Sequence, residues 1–480
     1  MSSRREFLKL LGTGAASVAL AEKSPRAFAA AGDARYISRR PPAAQRKFVS
    51  AAVENEITRV KAKIGDPKLA WLFENCYPNT LDTTVHTGTL GGKPDTFIVT
   101  GDIDAMWLRD SSAQVWPYLH LAGYDEALQE LYRGLIARHA RCISIDSYAN
   151  AFLTDPASRT ALPWVQHDLT DMKPGVAERK WEIDSLCWPI RLAHGYWQAT
   201  QDRAPFDDDW RAAMHRVLAT FREQQRKRGR GPYHFQRESA SPTETLALDG
   251  YGFPARPVGL IFSGFRPSDD ACRYPLFVPG NWFAVLSLRQ LAQMSRSLHR
   301  DDGFAGECKA LADEVQTALM KYALMRDEHG AEFWAYEVDG YCNQLFMDDA
   351  NVPSLLSLPY LGCCARDDPR YRRTRAAAWS TRNPWFFGGE AAQGIGGPHE
   401  GLRMIWPMSI MMRVLTSDDD AEIRQCLDWL KSTDAGTGFM HEAFDQGDPS
   451  HFTRAWFAWA NSLFGELIVD LAGRKPQLLR

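Results

Sequence analysis

Three short stretches of this 480-residue chain set carboxylates among tryptophans, glycines and a basic residue. Residues 181–189 read W-E-I-D-S-L-C-W-P and place Asp184 at the entrance to a helical pattern, among apolar bulk. Removal from water disfavours a charged carboxylate, so a group in such surroundings keeps its proton and can donate it. As a helix N-cap, the same Asp184 would instead be held ionised. Residues 101–110, G-D-I-D-A-M-W-L-R-D, offer Asp104, Trp107, Arg109 and Asp110. Their chemistry suits a sugar, with hydroxyl donors and acceptors beside a stacking face; capping by Asp102 or Asp104 and a local ion pair of Arg109 would account for the same residues. Residues 436–445, G-T-G-F-M-H-E-A-F-D, form a glycine-permitted loop that projects His441 and Glu442. Two carboxylates flanking a glycosidic bond are the minimum machinery for its hydrolysis. Further polar candidates are Asp348 in F-M-D-D-A-N (346–351), His399 in G-I-G-G-P-H-E (394–400), and the Asp269-Asp270 pair.

Other chemistries find little support. The chain contains no H-E-x-x-H, no G-x-S-x-G, no G-x-x-x-x-G-K-[ST] and no C-x-x-C, so zincin, α/β-hydrolase, P-loop and zinc-ribbon readings lack their residues. Asp269-Asp270 and Asp348-Asp349 could meet a hard cation, but no evenly spaced oxygen-ligand loop accompanies them. No metal and no cofactor is expected. Lys+Arg 56 against Asp+Glu 59 gives a formal charge of −3, without the basic excess of a phosphate-driven nucleic-acid binder. The 16 Trp, 15 Tyr and 24 Phe must largely build a core, and the same wealth suits stacking on flat sugar faces. Nine scattered cysteines, in a chain long enough to stabilise itself by burial, are expected mostly as free, buried thiols.

The elements that must position these groups are helices. Phe48, Ala52, Val53, Ile57, Val60 and Ile64 follow one buried helix face, and the same three-to-four spacing recurs through Leu128–Ile136, Trp210–Phe221 and Leu311–Tyr322. With further segments at 107–122, 181–200, 279–296, 348–361, 368–380, 400–415, 418–430 and 450–472, about a dozen helices are expected, and few strands, Thr96–Thr100 being one. Long loops rich in Gly, Pro and aromatics fall at 73–106, 154–180, 228–280, 328–347 and 382–399; loops of that length inside a compact chain usually carry function. The pattern suggests a toroid of helical hairpins with its loops gathered at one end, although periodicity does not exclude an open solenoid.

The first residues read as an address. Arg4-Arg5 with Phe7-Leu8, an apolar run over 10–21 and Ala27-Phe28-Ala29 resemble a twin-arginine export signal over 1–29, followed by a linker to residue 44. The run is too short for a membrane span, so an exported, periplasmic protein without a stable span is expected.

Taken together, the motifs at 101–110, 182–189, 266–271, 346–356, 404–409 and 438–442 resemble glycoside hydrolase family 125. The similarity runs from about residue 45 to 472. It implies an (α/α)6 barrel as a single catalytic domain over 45–475, and exo-acting, metal-independent, inverting hydrolysis of α-1,6-linked mannose from an oligosaccharide or N-glycan. It further implies Asp184 as general acid and Glu442 as general base. Trp107, Arg109 and Asp110 are then expected to grip the terminal sugar, with Asp104, Asp348, His399 and His441 as additional substrate-binding candidates. Residue 188 is Trp where the family favours Tyr. A glycosidase of the same fold with another sugar, or a non-catalytic glycan-binding protein, would share much of this pattern. The oligomeric state is not legible in the sequence.

Overall fold

The computed structural model describes residues 36–480; the expected signal over 1–29 and the first part of the linker lie outside the described residues. The architecture is an (α/α)6 barrel. Its helices are α1 (Ala51–Lys61), α2 (Pro67–Cys76), α3 (Leu108–Val115), α4 (Glu126–Ile145), α5 (Ile183–Thr200), α6 (Asp208–Gln224), α7 (Val278–Met294), α8 (Asp302–Tyr322), α9 (Leu358–Leu361), α10 (Pro369–Ala378), α11 (Pro407–Leu415), α12 (Asp420–Ser432) and α13 (Ala458–Arg474). Helices α3, α5, α7, α9, α11 and α13 form the inner ring. Within it α3 packs on α5, α5 on α7, α7 on α9 and α11 on α13, and the ring closes where α13 lies against α3. Closure, which helical periodicity could not specify, comes from burial around most of the circumference of inner helices such as α5 and α13. One apolar cluster runs from Val53 to Leu479.

Outer and inner helices start differently. The side chains of Ser50, Asp66, Asp125, Asp207, Asp301, Asp368 and Asp419 each accept a backbone N–H at the start of α1, α2, α4, α6, α8, α10 and α12. This is ordinary capping by short polar side chains. The inner helices α3, α5, α7, α11 and α13 have Trp107, Glu182, Phe277, Trp406 and Phe457 at their N-caps, with no side-chain capping hydrogen bond. Four of those five residues are aromatic and follow or lie in a short strand or bridge. Met106–Trp107 pairs with Ala151–Phe152 and that with Val176–Glu178; Leu276–Phe277 pairs with Glu337–Val338; Met404–Ile405 pairs with Ala443–Asp445 and that with Phe452–Thr453. Before α13, Gly101 bridges Phe457. Gly101 has φ +130, and a Cβ there would lie 2.2 Å from the carbonyl oxygen of Trp456, so this crossing requires glycine. The loops thus gather at the N-terminal mouth of the inner ring.

Several expected boundaries move. Of the segment 348–361 only Leu358–Leu361 is helical, because Pro353 interrupts an otherwise apolar run. The helices expected from 400 and 450 begin at Pro407 and Ala458, since the residues before them pair as strands. Residues 107–122 divide into α3 and a 3-10 segment, Trp116–Tyr124, at Pro117. Val85–Leu90 and Lys93–Ile98 form a hairpin that takes in the expected Thr96 strand. Cys76, Cys142, Cys187, Cys272, Cys308 and Cys426 are free and buried, Cys363 and Cys364 half-buried and Cys342 exposed. Among the described residues no helix is long and apolar enough to cross a membrane.

Candidate active site

Asp184 occupies the first turn of α5, one residue inside its start. It is not the N-cap, which is Glu182, so the capping alternative for Asp184 falls away; so does that for Asp102 and Asp104, because the N-cap of α3 is Trp107. The Asp184 side chain is 0 % exposed, and neither carboxyl oxygen has a hydrogen-bond partner among the described residues. Its nearest cation is Arg109, whose Nη1 lies 3.9 Å from Oδ2. Burial, and then the neighbouring Glu182 carboxylate, hold the Asp184 carboxyl well above the usual carboxylate range, against the pull of Arg109.

Glu182 is equally buried but richly bonded. It accepts from Arg109 Nη1, from Ser185 Oγ at 2.8 Å and from Asn150 Nδ2 at 3.2 Å. The other end of the Arg109 fork, Nη2, reaches Asp269 Oδ1 at 3.3 Å, and its Nε lies 3.5 Å from Asp110 Oδ2. Behind these, Lys180 Nζ donates to Glu244 at 3.0 Å and to the Asp269 carbonyl at 2.8 Å. Arg237 joins Glu178, Glu244 and Asp168. A buried charge is tolerated only with such partners; in this wall Asp184 is bare on both carboxyl oxygens, and Asp110 is bare on Oδ2.

Glu442 comes from the opposite arc of the ring, immediately before the strand Ala443–Asp445. It is 2 % exposed and accepts from Arg454 Nη1 at 3.2 Å and from Thr453 Oγ1 at 3.4 Å. Arg454 is fixed in turn by Asp102, at 2.8 Å from Nε, and by Thr100 Oγ1, at 3.2 Å from Nη2.

Two routes join the walls. Asp110 acts electrostatically on both Asp184 and Arg454, so its carboxylate lies within reach of both walls. On the other side, His399, Glu400 and Glu442 bring donor atoms within 4.8 Å of one another, His399 Nδ1 lies 4.0 Å from Asp270 Oδ1, and Asp269 leads back to Arg109. The ring of charge therefore brings Asp184, Glu442, Arg109, Asp110 and His399 together. His399, Glu400 and Glu442 are also the residues whose chemistry could hold a cation, although the Arg454 guanidinium already occupies Glu442.

The remaining candidates have other surroundings. Trp107 is 1 % exposed and packs with Ile103, Ala105, Trp164 and Val165. Asp104 is exposed on the turn before it. Both Asp348 oxygens accept backbone N–H groups, from Leu355 at 2.7 Å and Leu356 at 2.9 Å, while burial pushes its carboxyl up to about 8. His441 stacks on Phe452, centroids 3.7 Å apart, and burial lowers it to about 4. Asp348 and His441 thus hold loops. Sequence reasoning assigned no catalytic or binding role to Glu182, Asp102, Glu400 or Arg454. The first three lie inside the motifs, where neighbouring residues drew attention; Arg454 stands alone in T-R-A-W, with no pattern to mark it.

An (α/α)6 barrel with buried carboxylates at its loop-bearing mouth suits glycoside hydrolysis. Comparison with known proteins is more specific: the profile of the metal-independent α-mannosidases, GH125, matches residues 66–469, and the chain belongs to that family. The meiotically up-regulated gene 157 protein of Schizosaccharomyces pombe is 44% identical over 472 residues, covering 95% of this chain and 92% of the yeast protein. A metal-independent α-mannosidase from Streptococcus pneumoniae, solved in a non-productive complex with α-1,6-mannobiose, is 39% identical with a TM-score of 0.85, over 89% of this chain and all of that one. A glycosidase only 11% identical superposes with a TM-score of 0.50 over 87% of this chain and 98% of its own, a likeness of fold alone.

Proposed function

We propose that the chain is an exo-acting α-1,6-mannosidase that works with inversion, with Asp184 as the acid and Glu442 as the base. The observation that carries this reading is the contrast between a buried, unbonded carboxyl at 184 and a guanidinium-paired carboxylate at 442. Protonated Asp184 gives its proton to the glycosidic oxygen as the C1–O bond breaks. A water attacks C1 from the other ring face and passes its proton to Glu442, and the oxocarbenium-like charge between them is what the surrounding carboxylates stabilise. Inversion needs carboxyl groups roughly 6.5–9.5 Å apart, to leave room for that water. Arg109, Asp110 and His399 would bind the terminal mannose in this reading, with Trp107 backing them and Asp104 at the rim. The α-1,6 linkage is supported by the disaccharide bound to the Streptococcus pneumoniae relative. Export rests on the first 29 residues alone, and cell fractionation tests it. Proton NMR of an α-1,6-mannobiose digest tests the reaction: β-mannose appearing first supports inversion, α-mannose first contradicts it, and no mannose removes the substrate assignment.

A further inference from the structure

The buried pair Glu182 and Asp184 is asymmetric in a way that decides where its proton sits. Two carboxyls this close, out of water and sharing one nearby guanidinium, cannot both ionise without strong repulsion. The bonding settles which one does. Glu182 accepts from Arg109, Ser185 and Asn150, all donors, and a group surrounded by donors is favoured in its ionised, acceptor-only form. Asp184 accepts from no other described residue, only its own backbone N–H bearing on it, and stands 3.9 Å from the Arg109 nitrogen that Glu182 already occupies.

We infer that Glu182 is a positioning residue for the reaction: held as a carboxylate by Arg109, Asn150 and Ser185, it keeps the proton of the pair on Asp184 and restores it after each turnover. This rests on the reading of Asp184 as the acid. Once Asp184 has protonated the departing oxygen, the pair carries two negative charges beside one arginine. The proton that Glu442 took from water leaves to solvent, and the repulsion from Glu182 draws another from solvent back to Asp184. The other charged or titratable groups facing the pair are Asp110 from α3, Glu178 from the strand before α5 and Lys180 just after it, Asp269 and Cys272 from the loop before α7, Tyr233 from the loop after α6, and Cys187 on α5 itself. Lys180 and Arg109 oppose the carboxylates, and none of these groups offers Asp184 a hydrogen bond.

The test compares Glu182→Gln, Glu182→Asp and Asp184→Asn, measuring kcat/KM against pH with α-1,6-mannobiose and with 2,4-dinitrophenyl α-mannoside, whose phenolate departs without a proton. In Glu182→Gln the repelling charge is gone and Arg109 is released towards Asp184, so the alkaline limb on mannobiose moves down by at least about one pH unit. The nitrophenyl substrate changes by less than about threefold, and Glu182→Asp, which keeps the charge, recovers the limb. An unmoved limb in Glu182→Gln, or equal loss on both substrates, overturns the inference. Asp184→Asn losing both substrates equally would instead remove the acid reading itself. If Glu182→Gln does not fold, infrared spectra of the wild-type chain with 13C in either its aspartate or its glutamate carboxyls decide. A protonated band that shifts with labelled aspartate and disappears in Asp184→Asn supports the inference, and one that shifts only with labelled glutamate overturns it.

Discussion

The two walls of the site treat a carboxyl group in opposite ways. At the start of α5 the chain buries Asp184 with no hydrogen bond from another described residue and sets it beside Glu182, which accepts from Arg109, Ser185 and Asn150. Across the mouth, the strand pair Ala443–Asp445 and Phe452–Thr453 carries Glu442 against Arg454. Similar burial with different partners is what the proposed division into acid and base rests on. The difference lies in the second layer, Glu182 with Arg109 on one side and Arg454 with Asp102 on the other, more than in the two carboxyls themselves.

Arg454→Met should break that contrast most severely. It leaves Glu442 and Asp102 without their shared cation, and loss of one partner from a buried ion pair costs about 3–5 kcal/mol. A lower melting temperature together with turnover reduced by at least about a hundredfold is expected; wild-type turnover would show that Glu442 does not depend on its guanidinium.

His441, next to the base but facing Phe452, sharpens the comparison through pH. Its folded-state value of about 4 lies below the ordinary 6.5. The stability contributed by its neutral form is therefore complete above about pH 6.5, declines as pH falls, and is lost once pH has passed below 4. The total is on the order of 3 kcal/mol. His441→Phe should flatten that part of the acid decline, followed by chemical denaturation between pH 4 and 7, with kcat/KM near the wild-type value. A large rise in KM would place His441 on the substrate instead. Asp104→Ala, at the exposed rim, should shift stability by no more than about 0.5 kcal/mol and KM by a few-fold at most, read from melting curves and mannobiose kinetics.

Much of this arrangement was legible in the residues. The helical periodicity of 126–145, 208–224 and 302–322 marks outer helices, because an outer helix buries one stripe and exposes the rest. The inner helices were harder to delimit, since burial on nearly all sides erases the period and strands of two or three residues have none. Hence 400–406 and 450–457 read as helix although they carry the strand pairing that aims Glu442. Trp181, Glu182 and Asp184 announced a carboxyl in apolar surroundings, yet only the hydrogen bonds separate the capped, ionised possibility from the protonated one. Arg454 could not be read at all: its partners Asp102 and Glu442 lie 352 and 12 residues away, and long-range ion pairs leave no local pattern.

The central claim, that the environment has sorted an acid from a base, is tested most directly by leaving-group dependence in two variants. Asp184→Asn and Glu442→Gln are each assayed on α-1,6-mannobiose and on 2,4-dinitrophenyl α-mannoside. The account predicts that Asp184→Asn loses about a hundredfold or more on mannobiose while retaining most of its rate on the nitrophenyl substrate, and that Glu442→Gln loses comparably on both. Equal losses in Asp184→Asn, or the selective loss appearing in Glu442→Gln, would contradict it.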